Sequence, residues 1–243
     1  MNKNKIKKIV LNIFYPARCP VCGRILKDNR RSTCPECKDV LKPVNENFCL
    51  KCGLLIDADK EYCMYCDGKK RLFMRGRGTF LYNDRMKRSL LEFKYSGRRE
   101  YADYYARSMV RYLGREIKSW KIDVIVPVPL SKHKYRTRGF NQAADLAIRI
   151  GKLMNIPVSE SVDVKVHDTK SQKKLDAVHR RENLKGAFKV TCSLSGLNVL
   201  IVDDVYTTGS TIESLAEQML QNGAGRIYFA TLCIGAKSTF HDC

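Results

Sequence analysis

The chain has 243 residues, 44% of them hydrophobic and 29% charged, with 45 Lys+Arg against 25 Asp+Glu for a formal net charge of +20. This is a globular composition with room for one large or two modest domains, and no apolar run approaches the ~20 residues of a membrane-spanning helix. The charge is uneven: residues 1–120 hold 28 Lys+Arg and 13 Asp+Glu (+15), residues 121–243 hold 17 and 12 (+5), so the basic half points to a polyanion or an anionic membrane surface, or simply to a solvated basic face.

In chain order, Ile6, Ile9, Val10, Ile13 and Phe14 recur at helical spacing among Lys3, Lys5, Lys7 and Lys8. Residues 1–17 therefore read as a short basic amphipathic helix that Pro16 ends. It either docks on a membrane surface or partner, through residues 1–15, or packs on the protein's own body. Charge interrupts it too often for a signal peptide, and no small-residue cleavage site follows, so the expected location is cytoplasmic.

In a reducing compartment, eleven cysteines point to metal or chemistry rather than disulfides. Eight fall in four CxxC pairs: Cys19 and Cys22, Cys34 and Cys37, Cys49 and Cys52, Cys63 and Cys66, separated by 11, 11 and 10 residues. Two intervening residues let one tight turn aim both sulfurs at one ion, and two such knuckles complete a tetrahedral thiolate site that suits zinc. Consecutive pairing gives two zinc ribbons over residues 18–70; interleaved pairing, first with third and second with fourth, is the alternative. The segment is too small for a core of its own, so two structural zinc ions would supply its folding energy. "CPVCG" and "CLKCG" carry a glycine for the sharp turn after the second sulfur; "CPEC" and "CMYC" do not. Cys192, Cys233 and Cys243 lack metal spacing.

Residues 71–243 alternate strand and helix patterns. Residues 75–84 read as a strand and turn, 85–95 as a helix, and 101–119 as a longer helix with Ala102, Tyr105, Met109, Leu113 and Ile117 inward. "IDVIVPVP" at 122–129 is a buried strand stopped by two prolines. A helix follows over 141–154, then a strand at 162–166. Residues 167–184 are polar, basic and without apolar period, hence a loop. A strand at 198–203, a helix carrying Ile212, Leu215, Ala216 and Met219, and a last strand at 227–233 complete the chain. The expected fold is α/β, a parallel sheet covered on both faces, with ligands at the carboxyl ends of its strands.

At one such end stands "VLIVDDVYTTGST", residues 199–211. Backbone N–H groups around Gly209 and the start of the next helix form an anion cradle, to which Thr207, Thr208, Ser210 and Thr211 add hydroxyls. No lysine sits where a Walker loop needs one. Asp203 and Asp204 can accept hydrogen bonds from vicinal hydroxyls, as ribose presents. The stretch reads as a grip for ribose 5-phosphate.

It also resembles the fingerprint of the type I phosphoribosyltransferases. Together with the cysteine pairs, "FKYSGRREYAD" at 93–103, "PVPLSKHKYRTRGFNQA" at 127–143 and "RRENLKGAF" at 180–188, it makes the whole chain similar to the ComF family of competence proteins. The resemblance implies that Asp203 and Asp204 hold ribose hydroxyls of phosphoribosyl pyrophosphate, that Thr207, Thr208, Gly209, Ser210 and Thr211 hold its 5′-phosphate, and that Arg138 meets the pyrophosphate with magnesium bridging. It places a mobile loop at 167–184, with Arg181 and Asn183 in it. Arg136, Arg180 and Arg181 are otherwise ordinary solvated charges. The resemblance also implies uptake or handling of single-stranded DNA at the inner face of the membrane; an active transferase with an unidentified acceptor is the alternative, in which Asp203 and Asp204 are the candidate catalytic residues. Tyr65, Phe73 and Phe80 are candidates for stacking bases if exposed.

Overall fold

Strands and helices intersperse from residue 75 onward. The computed structural model describes residues 16–28, 32–37, 40–160, 162–164 and 188–235. The elements are β1 (Arg75–Tyr82), α1 (Asp84–Tyr95), α2 (Tyr101–Ser119), β2 (Val124–Pro127), α3 (Lys132–Arg138), α4 (Gln142–Met154), β3 (Val162–Val164), β4 (Phe188–Val190), β5 (Asn198–Tyr206), α5 (Ser210–Gln221) and β6 (Arg226–Gly235). Residues 1–15 and the expected loop at 167–184, with Arg180, Arg181 and Asn183, lie outside the described residues.

Four strands make one parallel sheet in the order β1-β6-β5-β2, and Val158 adds a parallel bridge to Ile125 at the β2 edge. The alternation of side chains sorts the apolar residues into two layers. Leu200 and Val202 pack with α1, α2 and α4 on one face; Val199 and Ile201 pack with α5 on the other.

The second cysteine module completes that other layer. Val44, Leu54, Ile56 and Phe73 lie in the same cluster as Ile227 and Phe229, and Phe73 meets Phe229 edge-on at 4.9 Å between ring centroids. Arg77 ties it down further: its guanidinium donates to the Val44 carbonyl at 2.9 Å, pairs with Glu116 at 3.1 Å and lies 3.5 Å over the Phe48 ring. The first module forms a small cluster of its own, Cys19, Leu26 and Cys37. It joins the body through Ser89, whose hydroxyl bridges the Pro20 carbonyl and the Tyr105 hydroxyl.

Four elements differ from the sequence pattern, one of them β4, where no strand was expected. β5 runs three residues past the expected 203 because β6 keeps pairing with it, through Asp203 with Thr231 and Val205 with Cys233. The expected strand at 162–166 forms, but only over Val162–Val164, and it pairs antiparallel with β4 apart from the main sheet. α3 stands between β2 and α4, where the sequence pattern named no element. Its seven residues, KHKYRTR, have no apolar face, so periodicity is silent; Ser131 caps its start and Gly139, at φ 77°, ends it.

Candidate functional site

Two four-thiol clusters come first in the chain. Cys19, Cys22, Cys34 and Cys37 form one and Cys49, Cys52, Cys63 and Cys66 the other, each with its sulfurs within 4.8 Å of one another. The pairing is consecutive, not interleaved. Sγ···Sγ separations of 3.6, 3.7 and 3.5 Å lie close to the ~3.8 Å edge of a tetrahedron of ~2.3 Å Zn–S bonds. The two knuckles that carry glycine share one hairpin: Cys19 N–H donates to Arg24 and Gly23 N–H to Cys19, and Cys49 N–H donates to Leu54 and Gly53 N–H to Cys49. Both glycines have positive φ, 72° and 79°. The knuckles without glycine close by a 3-10 turn at Pro35–Cys37 and by Cys66 and Asp67 N–H on the Cys63 carbonyl. Donor set and geometry fit two structural zinc ions.

The second constellation sits where β2 ends beside β5, since Pro127 is the register partner of Val202. Asp203 and Asp204 follow at once in β5. Asp203 Oδ1 accepts from the Asp204 N–H at 2.7 Å. Burial, and then the neighbouring Asp204 carboxylate, push the Asp203 carboxyl up to about 7. Asp204, 14% exposed, is met by Lys94 Nζ of α1 at 2.7 Å. Burial works against the Lys94 charge, but Asp204 outweighs it and raises its proton affinity. Sequence reasoning missed Lys94. Its signal was there: Met86, Leu90 and Lys94 are four apart, so a lysine occupies the face on which Met86 and Leu90 are buried.

Arg138 stands in front of this trio. Its guanidinium donates to Gln142 Oε1 at 3.0 Å and to the Tyr95 hydroxyl at 3.1 Å, and lies 5.1 Å over the Tyr95 ring. Asn141 fixes the approach by capping α4 and donating to the Val128 carbonyl at 3.0 Å. Arg99, from the 93–103 segment, is instead committed to Asp145 in a two-pronged pair at 2.9 and 2.7 Å.

After β5, Thr207, Thr208, Gly209, Ser210 and Thr211 turn into α5. Gly209 is the N-cap, at φ 84°, and Thr208 and Ser210 hydroxyls lie 3.0 Å apart. A Cβ at Gly209 would come within 2.5 Å of the Tyr206 hydroxyl, so the turn needs glycine twice over. The structure thus brings Asp203, Asp204, the 207–211 loop and Arg138 to the carboxyl end of the parallel strands. Phe73 and Phe80 are buried and cannot stack bases; Tyr65 is half-buried against the second cysteine module. Cys233 is buried in β6.

These arrangements define a class before they define a family: an α/β phosphoribosyltransferase-like domain behind two cysteine modules. Residues 10–67 match the double zinc ribbon domain and residues 105–242 the phosphoribosyl transferase domain. Among curated proteins the chain is 31% identical to the DNA utilization protein YhgH of Salmonella typhi, over 75% of this chain and 82% of that one. It is 30% identical to the competence protein ComFC of Bacillus subtilis (63% and 60%) and 35% identical to competence protein F of Haemophilus influenzae (43% and 47%). The chain belongs to the ComF family. A solved purine phosphoribosyltransferase from Pyrococcus horikoshii aligns with 54% of this chain and 73% of its own at 23% identity and a TM-score of 0.37, too loosely to add to these matches.

Proposed function

We propose that this chain binds phosphoribosyl pyrophosphate with magnesium at the β5–α5 junction, and that it serves the handling of transforming single-stranded DNA at the cytoplasmic side of the inner membrane. One observation carries the ligand: two adjacent carboxylates end a strand, and the next turn is a glycine-capped hydroxyl loop at a helix N-terminus. Asp203 and Asp204 receive the 2′- and 3′-hydroxyls, the 207–211 loop the 5′-phosphate, and Arg138 the pyrophosphate. The oxygen donors of the acid pair also fit magnesium, which when bound neutralises phosphate charge and orients the sugar. Calorimetry with the magnesium complex of phosphoribosyl pyrophosphate tests this. Asp203→Asn with Asp204→Asn should weaken binding by about a hundredfold or more, roughly 3 kcal/mol; unchanged affinity would overturn the assignment.

The DNA reading rests on the relatives named for competence and DNA utilization, and on charge. Exposed Lys132, Lys134 and Arg136 of α3, with Tyr135 54% exposed, add a basic and aromatic surface beside the sugar site to the basic first half. Binding of a single-stranded oligonucleotide should weaken steeply with salt; salt-independent binding, or none, rejects it. A basic helix at residues 1–15 would hold the protein peripherally at an anionic bilayer.

A working transferase is the second reading, favoured by the convergence of Lys94, Arg138 and the acid pair. Pyrophosphate would leave the anomeric carbon as an acceptor's lone pair bonds to it, with positioning and charge doing most of the work. Pyrophosphate release that vanishes in the double Asp→Asn variant supports it; ligand binding without release for any acceptor excludes it.

A further inference from the structure

The arginine that follows the second cysteine module reaches the 207–211 loop and the helix after it. Arg71 donates through one terminal nitrogen to Glu213 Oε1 at 3.4 Å and through the other to the Thr208 carbonyl at 3.4 Å. The next residue, Leu72, donates its N–H to Glu213 Oε2 at 3.3 Å. Glu213 belongs to the first turn of α5 and is itself bound into the 207–211 turn, its N–H donating to the Gly209 carbonyl at 2.8 Å. Cys66, the last thiol of the second cluster, stands five residues before Arg71, and that cluster shares one buried core with Tyr206 and Ile212, which flank the 207–211 loop. The pair Arg71 and Glu213 is secluded, at 11% and 6% side-chain exposure, so its geometry cannot drift at little cost.

We propose that Arg71 couples zinc binding at Cys49, Cys52, Cys63 and Cys66 to anion binding in the 207–211 loop. The proposal rests on that loop being the sugar-phosphate site. A zinc ion supplies the folding energy of the ribbon from which Arg71 and Leu72 emerge. Held at that exit, Arg71 sets the position of the Thr208 carbonyl and of α5's first turn. Without the metal the ribbon loosens, the segment that carries Arg71 is no longer fixed, and the loop loses the arginine that braces it. Linkage makes the effect reciprocal: a phosphate that fixes the loop must raise the zinc affinity of the second site by the factor by which zinc raises phosphate affinity. The first site, in its separate cluster, has no such contact among the described residues and is the internal control. Arg71 is therefore a positioning residue.

The test uses the full chain loaded with cadmium-113 in place of zinc, with its two thiolate-site resonances assigned by Cys22→Ser. Ribose 5-phosphate should shift the second-site resonance alone, and competition with a chelator should show second-site affinity rising about tenfold in its presence. Arg71→Gln should abolish both effects; Arg71→Lys, which keeps the charge but not the fork, should retain both metals and still lose the coupling. Ribose 5-phosphate binding that leaves the second-site affinity unchanged, or coupling that persists in Arg71→Gln, overturns the proposal alone. Failure of ribose 5-phosphate to bind the wild-type chain overturns the site assignment and the coupling with it.

Discussion

Asp203 and Asp204 are an unequal pair because their surroundings differ. Lys94 neutralises Asp204, while burial and that same neighbour hold Asp203 near neutrality at about 7, against an ordinary 3.8. The sign for stability follows from linkage. Between about pH 4 and 7 the folded chain keeps a proton on Asp203 that the unfolded chain releases, so this group's contribution is full below 3.8 and is lost as pH rises through 7. Allowing for partial solvent access, the loss is on the order of 3 kcal/mol. Urea midpoints at pH 5 and pH 8 should show it in the wild type and not in Asp203→Asn. An ionised carboxylate accepts from ribose hydroxyls more strongly than a neutral acid does, so ribose 5-phosphate affinity should climb between pH 6 and 8 more steeply in the wild type than in Asp203→Asn; the ligand's own phosphate ionisation is common to both. Lys94→Met leaves two acids without their cation and should cost about 2 kcal/mol in urea denaturation. At this scale the acids were legible, since paired carboxylates before a hydroxyl loop are a local pattern. Their inequality was not, because the lysine that creates it arrives from a helix more than a hundred residues earlier.

The strand, turn and helix from Asn198 to Gln221 form one continuous unit that turns at Gly209. Tyr206, at the end of β5, stacks on Phe229 at 4.6 Å with an interplanar angle of 9° and closes the floor beneath the glycine. Its hydroxyl is buried and has no hydrogen-bond partner among the described residues. Gly209→Ala therefore meets two obstacles, a positive φ and the Tyr206 oxygen, and should destabilise by about 2–3 kcal/mol with a fall of roughly 5–10 °C in Tm. Tyr206→Phe removes an unsatisfied oxygen and should be neutral or stabilising by about 1 kcal/mol. Combined, it should recover part of the Gly209→Ala loss, the φ strain remaining; a strictly additive double mutant would show that the hydroxyl is not the obstacle. The sequence pattern located this element well, because apolar alternation, a glycine and a helical period follow one another within 24 residues. It misplaced only the strand's end, since pairing with β6 continues through polar positions that carry no hydrophobic signal.

Over the whole molecule the two zinc ribbons are not equivalent, although their spacings are almost the same. The first packs as a satellite on α1, while the second shares a core with β5, β6 and α5. No spacing rule conveys this difference: it depends on where Val44, Leu54, Ile56 and Phe73 fall in three dimensions. It changes how the chain can be dissected. Cutting at residue 70 would strip the sheet of part of a covering layer, so loss of DNA binding on such truncation would report unfolding rather than a missing contact. Substitutions should separate the two roles. Cys19→Ser with Cys22→Ser should release one metal ion per chain, measured by elemental analysis, and shift Tm by no more than a few degrees. Cys49→Ser with Cys52→Ser should also release one, but lower Tm by roughly 10 °C or more, about 3 kcal/mol, because it opens the layer over Phe229. Equal Tm losses would mean that the second ribbon is as peripheral as the first. With the large loss confirmed, the basic surfaces can be assayed for DNA by charge substitution on the first ribbon and on α3, leaving the layer that holds the sheet intact.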